Sequence, residues 1–433
     1  MHYKINDMLK KYSSVVLFSL LLLSAEGFAQ SGSLQGSKAG SHYHSSSHPA
    51  ALIGRWRGEF HVKDSLDIPF VFEITGGGEK QTKLYFINAE ERFYGGTLKP
   101  GDNDSLHVLL DQFDNELVFA YWSNELHGYL RKQDGSGIAL PVKALKGNQP
   151  RFAATGAQAA AAISGTYDIV FKNERGKDEK SVGLFTQNGH QLRATFLRIT
   201  GDSRYLDGIV SGNEFYLSTF IGSGPGYYKG TINADGTITG GIVGARGTQL
   251  FTGIPNEAAA LPDAYGLTLL KEGYSSLDFS FPDVNGKPVS LKDPQFKNKA
   301  VIVTITGSWC PNCIDEAAFL APWYKKNKKR GVSIISLHYE RKTDTAYARK
   351  VITRFKERFG IEYHQLFAGI ADKQRVAESL PALNTFLSFP TTIFIDRQGK
   401  VSKIHTGFSG PATGKYYDEF VKEFTTEVDT LLK

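Results

Sequence analysis

The hydrophobic period of this 433-residue chain changes once, and that change restricts the possible folds more than any other feature. From Ala51 to about Pro255 it has period two: Ile68, Phe70, Phe72 and Ile74 alternate with Pro69, Val71 and Glu73, and Leu106, Val108 and Leu110 repeat the pattern. Successive strand side chains point to opposite faces, so each run shows one face to a core. Asp134-Gly135, Asn188-Gly189 and Asp235-Gly236 separate the runs, and such dipeptides tolerate the positive φ of hairpin turns. After about Leu277, strand-like and helical runs alternate: Ala300 to Thr306, a helix from Cys310 toward Arg330, Val332 to Leu337, Asp344 to Phe359, Thr392 to Asp396, Lys400 to His405, and a last helix from Lys415 to Leu432. The chain is therefore expected to be multidomain, with an antiparallel all-β domain over 51–255, a linker over 256–270 and an α/β domain over 271–433.

The β region reads as a duplicated meander, with repeats over 51–145 and 163–255, packed as a sandwich or closed into a barrel. Gly54-Arg55-Trp56 opens one half and Gly165-Thr166-Tyr167 the other. Near the ends stand Gly128-Tyr129 through Asp134-Gly135 and Gly230-Thr231 through Asp235-Gly236, and the Ala-rich stretch Ala153 to Ala162 connects the halves. Trp56, Phe60, Phe70, Phe72, Phe86, Phe93, Tyr94 and Trp122 either fill the core or line a ligand cavity; strand-spaced aromatics routinely do the former.

The N-terminus reads as an export signal over 1–29: a basic start, an apolar run from Val15 to Leu23 broken at Ser19, and small residues at Gly27 and Ala29 before Gln30. That run is about half the roughly 20 residues a membrane span needs. No cysteine lies near the cleavage point, so a lipid-anchored cysteine is not expected. The folded part is expected in the periplasm or cell envelope. Residues 30–50 form a flexible Ser/Gly/His linker whose His42, His44 and His48 read as solvated spacers rather than metal ligands. The net charge of +6 falls to +5 without residues 1–29, where Lys4, Lys10 and Lys11 face Asp7 and Glu26; so mild an excess does not imply nucleic acid. Lys325 to Arg330 reads as a solvated helix end.

Cys310 and Cys313 are the chain's only cysteines, and both stand in Trp309-Cys310-Pro311-Asn312-Cys313 at a strand-to-helix junction. A disulfide closing so small a ring removes little entropy from the unfolded chain, so the pair reads as chemical rather than structural. A thiolate attacks disulfides, and the first turn of a helix directs unpaired N–H groups and the positive dipole end at Cys310. Pro311 suits that turn, having no N–H to leave unbonded. Cys313, one turn on, faces inward and can resolve a mixed disulfide. A zinc site lacks further cysteines and would depend on scattered His338, His364 and His405. A covalent haem site would need histidine where Ile314 stands. A peroxiredoxin-type site would need proline and a hydroxyl residue where Val303 and Gly307 stand.

Four features follow in order: Asp278-Phe279-Ser280-Phe281 with Asn285-Gly286-Lys287-Pro288-Val289-Ser290-Leu291; the Cys-Pro-Asn-Cys motif with Glu316; Phe389-Pro390-Thr391-Thr392-Ile393-Phe394-Ile395-Asp396; and Gln398-Gly399-Lys400 with His405-Thr406-Gly407. Together they resemble the thioredoxin superfamily, specifically the TlpA-like (ResA-like) thiol-disulfide oxidoreductases of bacterial envelopes, over about Leu277 to Leu432. The resemblance implies that Cys310 is an exposed nucleophile, Cys313 the resolving thiol, and Pro390 a cis residue whose neighbouring backbone pairs with a substrate strand. It implies that Glu316 accepts the proton of Cys313 and that Trp309, Pro311 and Phe389 shape substrate binding. No cofactor is expected beyond a redox-active Cys310–Cys313 disulfide; the expected partners are disulfide-containing envelope proteins and a membrane electron donor. Two departures stand out: Ala318 and the later Pro322 where a proline usually follows the glutamate by two, and bulky Phe389 before the cis proline. The expected function is reduction of envelope disulfides. The alternative is a ligand-binding or adaptor protein whose dithiol senses redox state, which a continuous apolar cavity in the β domain would favour.

Overall fold

A computed structural model describes residues 49–63, 65–77, 80–153, 161–172 and 176–433. The export segment 1–29, the three linker histidines and most of the Ala-rich connection lie outside the described residues.

After a single turn, α1 (Pro49–Leu52), the β region forms two closed antiparallel barrels, not a sandwich. Barrel one runs β1 (Gly54–Lys63), β2 (Leu66–Gly77), β3 (Lys80–Asn88), β4 (Glu91–Pro100), β5 (Ser105–Leu110), β6 (Asn115–Trp122), β7 (Glu125–Lys132) and β8 (Leu140–Lys146). Each strand pairs with the next, and β8 returns to β1 with Trp56 opposite Lys146. Barrel two contains β9 (Gly165–Lys172), β10 (Asp178–Asn188), β11 (Gln191–Arg198), the two-residue β12 (Gly201–Asp202), β13 (Leu206–Ser211), β14 (Glu214–Thr219), β15 (Gly226–Ile232), β16 (Ile238–Gly244) and β17 (Gly247–Pro255). Its ring closes through β17 on β9, and β12 with β13 takes the place of β4.

Gly54 and Gly165 open corresponding first strands, as the duplication predicts. The second correspondence fails by one strand. Asp134-Gly135 follows the seventh strand of barrel one, whereas Asp235-Gly236 follows β15, the sixth of barrel two, because alternating strand sequences align at several offsets.

The predicted aromatics are core. Trp56, Phe60, Phe70, Phe72 and Phe86 are buried, with Trp56 stacked on Phe72 at 6.1 Å and Phe60 on Phe70 at 4.3 Å. Phe220, from the loop after β14, enters barrel one and meets Phe60 at 4.6 Å and Phe86 at 4.7 Å. Space that a ligand would need is thus occupied by a ring from barrel two. Trp122 and Tyr94 are exceptions: Trp122 lies at the end of β6 and is 68% exposed, and Tyr94 of β4 is only half-buried. Buried Arg151 ties the barrels, donating to Pro69 O (3.5 Å) and Ile87 O (2.5 Å) of barrel one and to Ser218 Oγ (3.0 Å) of barrel two.

The α/β domain starts with a small hairpin, β18 (Ser280–Pro282) and β19 (Pro288–Ser290), and then builds a sheet from β20 (Ala300–Thr306), β21 (Val332–Glu340), β22 (His364–Ile370), β23 (Thr391–Ile395) and β24 (Val401–Thr406). The order is β22-β21-β20-β23-β24, parallel from β20 to β22 and antiparallel at β23 and β24. Helices α2 (Pro311–Asn327), α3 (Thr345–Phe359), α4 (Lys373–Ser379) and α5 (Lys415–Leu431) complete it. Every residue of β20 and β21 is buried, as expected for strands covered on both faces. Ala300 and Ile302 pack with α2 and α5, while Val301, Val303 and Ile305 pack with α4 and Leu277. In the basic run, Lys328 and Arg330 form exposed pairs with Glu362 and Asp429.

Candidate active site

β20 delivers the motif to the start of α2. Cys310 is the N-cap residue, and its Sγ accepts a hydrogen bond from the Cys313 N–H at 3.3 Å; Pro311 occupies the first turn. Capping residues take extended backbone so that a side-chain acceptor meets the first free N–H groups, and here a sulfur fills that role. Phe389–Pro390 is a cis peptide, and the Cys310 thiol donates to the Phe389 carbonyl at 3.6 Å. Trp309 donates through Nε1 to Tyr339 O at 2.9 Å and meets the Phe389 ring edge-on at 5.4 Å. The fold therefore gathers Trp309, Cys310, Pro311, Cys313, Phe389 and Pro390. Both cysteines are free thiols.

Cys313 is fully buried, and burial, followed by its hydrogen bond and charge interaction with Cys310, raises its pKa well above the ordinary thiol value. Glu316 is also buried rather than solvated, accepting from Thr392 Oγ1 at 2.5 Å. Burial pushes its carboxyl up to about 7, near the pH at which a proton acceptor works best.

One expectation is corrected. Cys310 is only 5% exposed, because residues distant in sequence crowd the motif from the side of barrel two. Asn312 Nδ2 donates to Asp202 O at 3.2 Å, Ser388 Oγ donates to Thr200 O at 2.9 Å, and Arg204 donates to Pro311 O at 3.1 Å.

Sequence reasoning missed the support beneath the motif. The Glu340 carboxylate accepts from Ser308 N–H at 3.0 Å and Ser308 Oγ at 2.8 Å, and lies 3.2 Å from His338 Nδ1; His338 Nε2 in turn meets Gln365 Oε1 at 2.7 Å. All four residues are buried. The available signal was a carboxylate ending an otherwise buried strand, since such a group requires hydrogen-bond partners.

The Redoxin family matches residues 271–419. The thiol-disulfide oxidoreductase ResA of Bacillus subtilis (strain 168) is 30% identical over 33% of this chain and 71% of its own length. The chain belongs to the ResA-like branch of the thioredoxin superfamily. ResA of Bacillus thuringiensis subsp. konkukian gives 30% identity over 35% of this chain and 78% of its own length. A solved thioredoxin-family thiol:disulfide interchange protein from Chlorobium tepidum overlaps 38% of this chain and 99% of its own at 22% identity and a TM-score of 0.28. The ResA-like part is a thiol-disulfide oxidoreductase domain, and the ResA matches span about a third of the chain.

Proposed function

We propose that this chain is an exported enzyme that reduces disulfides of envelope proteins by dithiol exchange. The supporting observation is the Cys310 sulfur capping α2 beside the Phe389–Pro390 cis peptide, with buried Cys313 one turn behind. Ionised Cys310 attacks one sulfur of the client disulfide; that bond breaks, and the departing client sulfur takes a proton. Cys313 then passes its proton to Glu316 and attacks Cys310 Sγ, releasing the second client thiol and leaving a Cys310–Cys313 disulfide. A membrane electron donor returns two electrons to restore the dithiol. Trp309, Pro311, Phe389 and Pro390 hold the client beside the sulfur, and no bound cofactor is required.

The test is stoichiometric. Pre-reduced protein should release two thiols from a disulfide-bonded peptide, Cys310→Ser should release none, and Cys313→Ser should retain the peptide covalently on Cys310. Absence of thiol release by the parent protein, with no trapped adduct, would overturn the reading. Titration against glutathione would fix the direction, since ~30 mV corresponds to about 1.4 kcal/mol for this couple.

A further inference from the structure

In barrel two the hairpin β11–β12 turns at Ile199–Thr200 and leaves the ring to lie along the dithiol motif. Ile199 O lies 2.6 Å from where a Cβ on Gly407 would be, so only glycine at 407 allows that approach. Thr200 O accepts from Ser388 Oγ, adjacent to Phe389. Gly201, at φ +128°, stands against the Asn312 amide, which a side chain at 201 would strike. Asp202 then accepts from Gly410 N–H at 2.6 Å and from Asn312 Nδ2. Arg204 finishes the crossing: its guanidinium donates to Pro311 O and pairs with Asp315 of α2 and with Glu91 of barrel one. Arg204 and Asp315 are nearly buried, and Arg204 holds φ +57°, a backbone state non-glycine residues seldom adopt unless neighbours enforce it.

We propose that segment 199–204 is a built-in cap that sets which disulfides reach Cys310, with Arg204 as its latch. In disulfide exchange the attacking, central and leaving sulfurs lie in line, so the main chain flanking a client disulfide must lie on the surface around Cys310. On the side of Asn312, Ser388 and Gly407 that surface is taken by the hairpin. A small or extended disulfide can approach beside the cap; a wide, folded one requires the hairpin to move. The proposal rests on Cys310 being the attacking sulfur, as argued above.

The full chain in a Cys313→Ser background reports on Cys310 directly. Arg204→Ala should accelerate modification by a bulky polyethylene-glycol maleimide about tenfold, equivalent to about 1.4 kcal/mol, and modification by N-ethylmaleimide much less. With both cysteines present, the same substitution should raise insulin reduction relative to reduction of 2-hydroxyethyl disulfide. Asp202→Ala removes the carboxylate that accepts from Gly410 N–H, Arg204 N–H and Asn312 Nδ2 while keeping the partners of the Arg204 ion pairs, should shift the rates the same way, and decides the matter if Arg204→Ala does not fold. Unchanged bulky-maleimide rates in a variant with native circular dichroism would overturn the cap. Faster modification without reduction of either disulfide would support the cap and overturn the reductase reading. Reduction with unchanged modification rates would do the reverse.

Discussion

The two barrels share an up-and-down ring but face the α/β domain differently. Barrel one meets it through Phe113 O and Tyr94 O, which accept from Arg341 and Arg358, and through Asp114, which accepts from Tyr347; of these only Arg341 touches the redox motif, lying over the Trp309 ring at 5.6 Å. Barrel two brings its hairpin to the redox motif. The two equivalent hairpins each turn in two residues, Ala89–Glu90 in barrel one and Ile199–Thr200 in barrel two, and both reach Arg204, through Glu91 in the first case and by carrying it in the second. Both barrels have the same hydrogen-bonded ring, which any alternating sequence can satisfy, while their turn side chains differ in what they reach.

The largest test of that comparison concerns Phe220, a residue of barrel two that fills barrel one. Phe220→Ala should destabilise the chain by about 3–5 kcal/mol in chemical denaturation, because the vacated space cannot fully collapse. Hydrogen exchange should increase more in β1 to β3 than in barrel two; equal loosening of both would show that the plug does not belong to barrel one.

Glu316→Gln separates site from scaffold. The folded chain holds the Glu316 proton up to about pH 7 and the unfolded chain only to about 4.5, so its contribution to stability is complete below about 4.5 and lost as the pH rises through 7. The variant should therefore gain stability over the parent between about pH 5 and about pH 8, by up to on the order of 3 kcal/mol. It should also slow resolution of the mixed disulfide about a hundredfold, seen as accumulated adduct. A pH-independent stability difference would show that the carboxyl is not the titrating group.

The smallest effect sharpens the contrast between the barrels. Tyr347→Phe removes the hydroxyl that bonds Asp114 and should cost about 1 kcal/mol. Because this contact belongs to barrel one, modification of Cys310 should not change; acceleration like that expected for Arg204→Ala would erase the functional difference between the two interfaces.

Several features were legible because their causes are local. Gly189, at φ +58°, begins the two-residue β10–β11 turn directly after Asn188 ends the strand, Asp344 caps α3 through Tyr347 N–H, and Cys310 caps α2, each within a few residues. Barrel closure was not, since the pairing of Trp56 with Lys146 depends on strand tilt and register around the ring, and alternation suits sandwich and barrel equally. Nor was the capping hairpin: Ile199-Thr200 carries no Gly, Asn or Asp turn signal, and Ile and Thr favour strands.

The sequence by itself determined a dithiol at a helix start, because helix capping acts over a few residues, whereas the cis proline and the buried glutamate were implied only by the resemblance to the thioredoxin superfamily. The tertiary structure alone decided how far Cys310 meets solvent. That depends on Arg204 pairing with Asp315 across 111 positions, and burial is set by which distant surfaces meet rather than by neighbours along the chain.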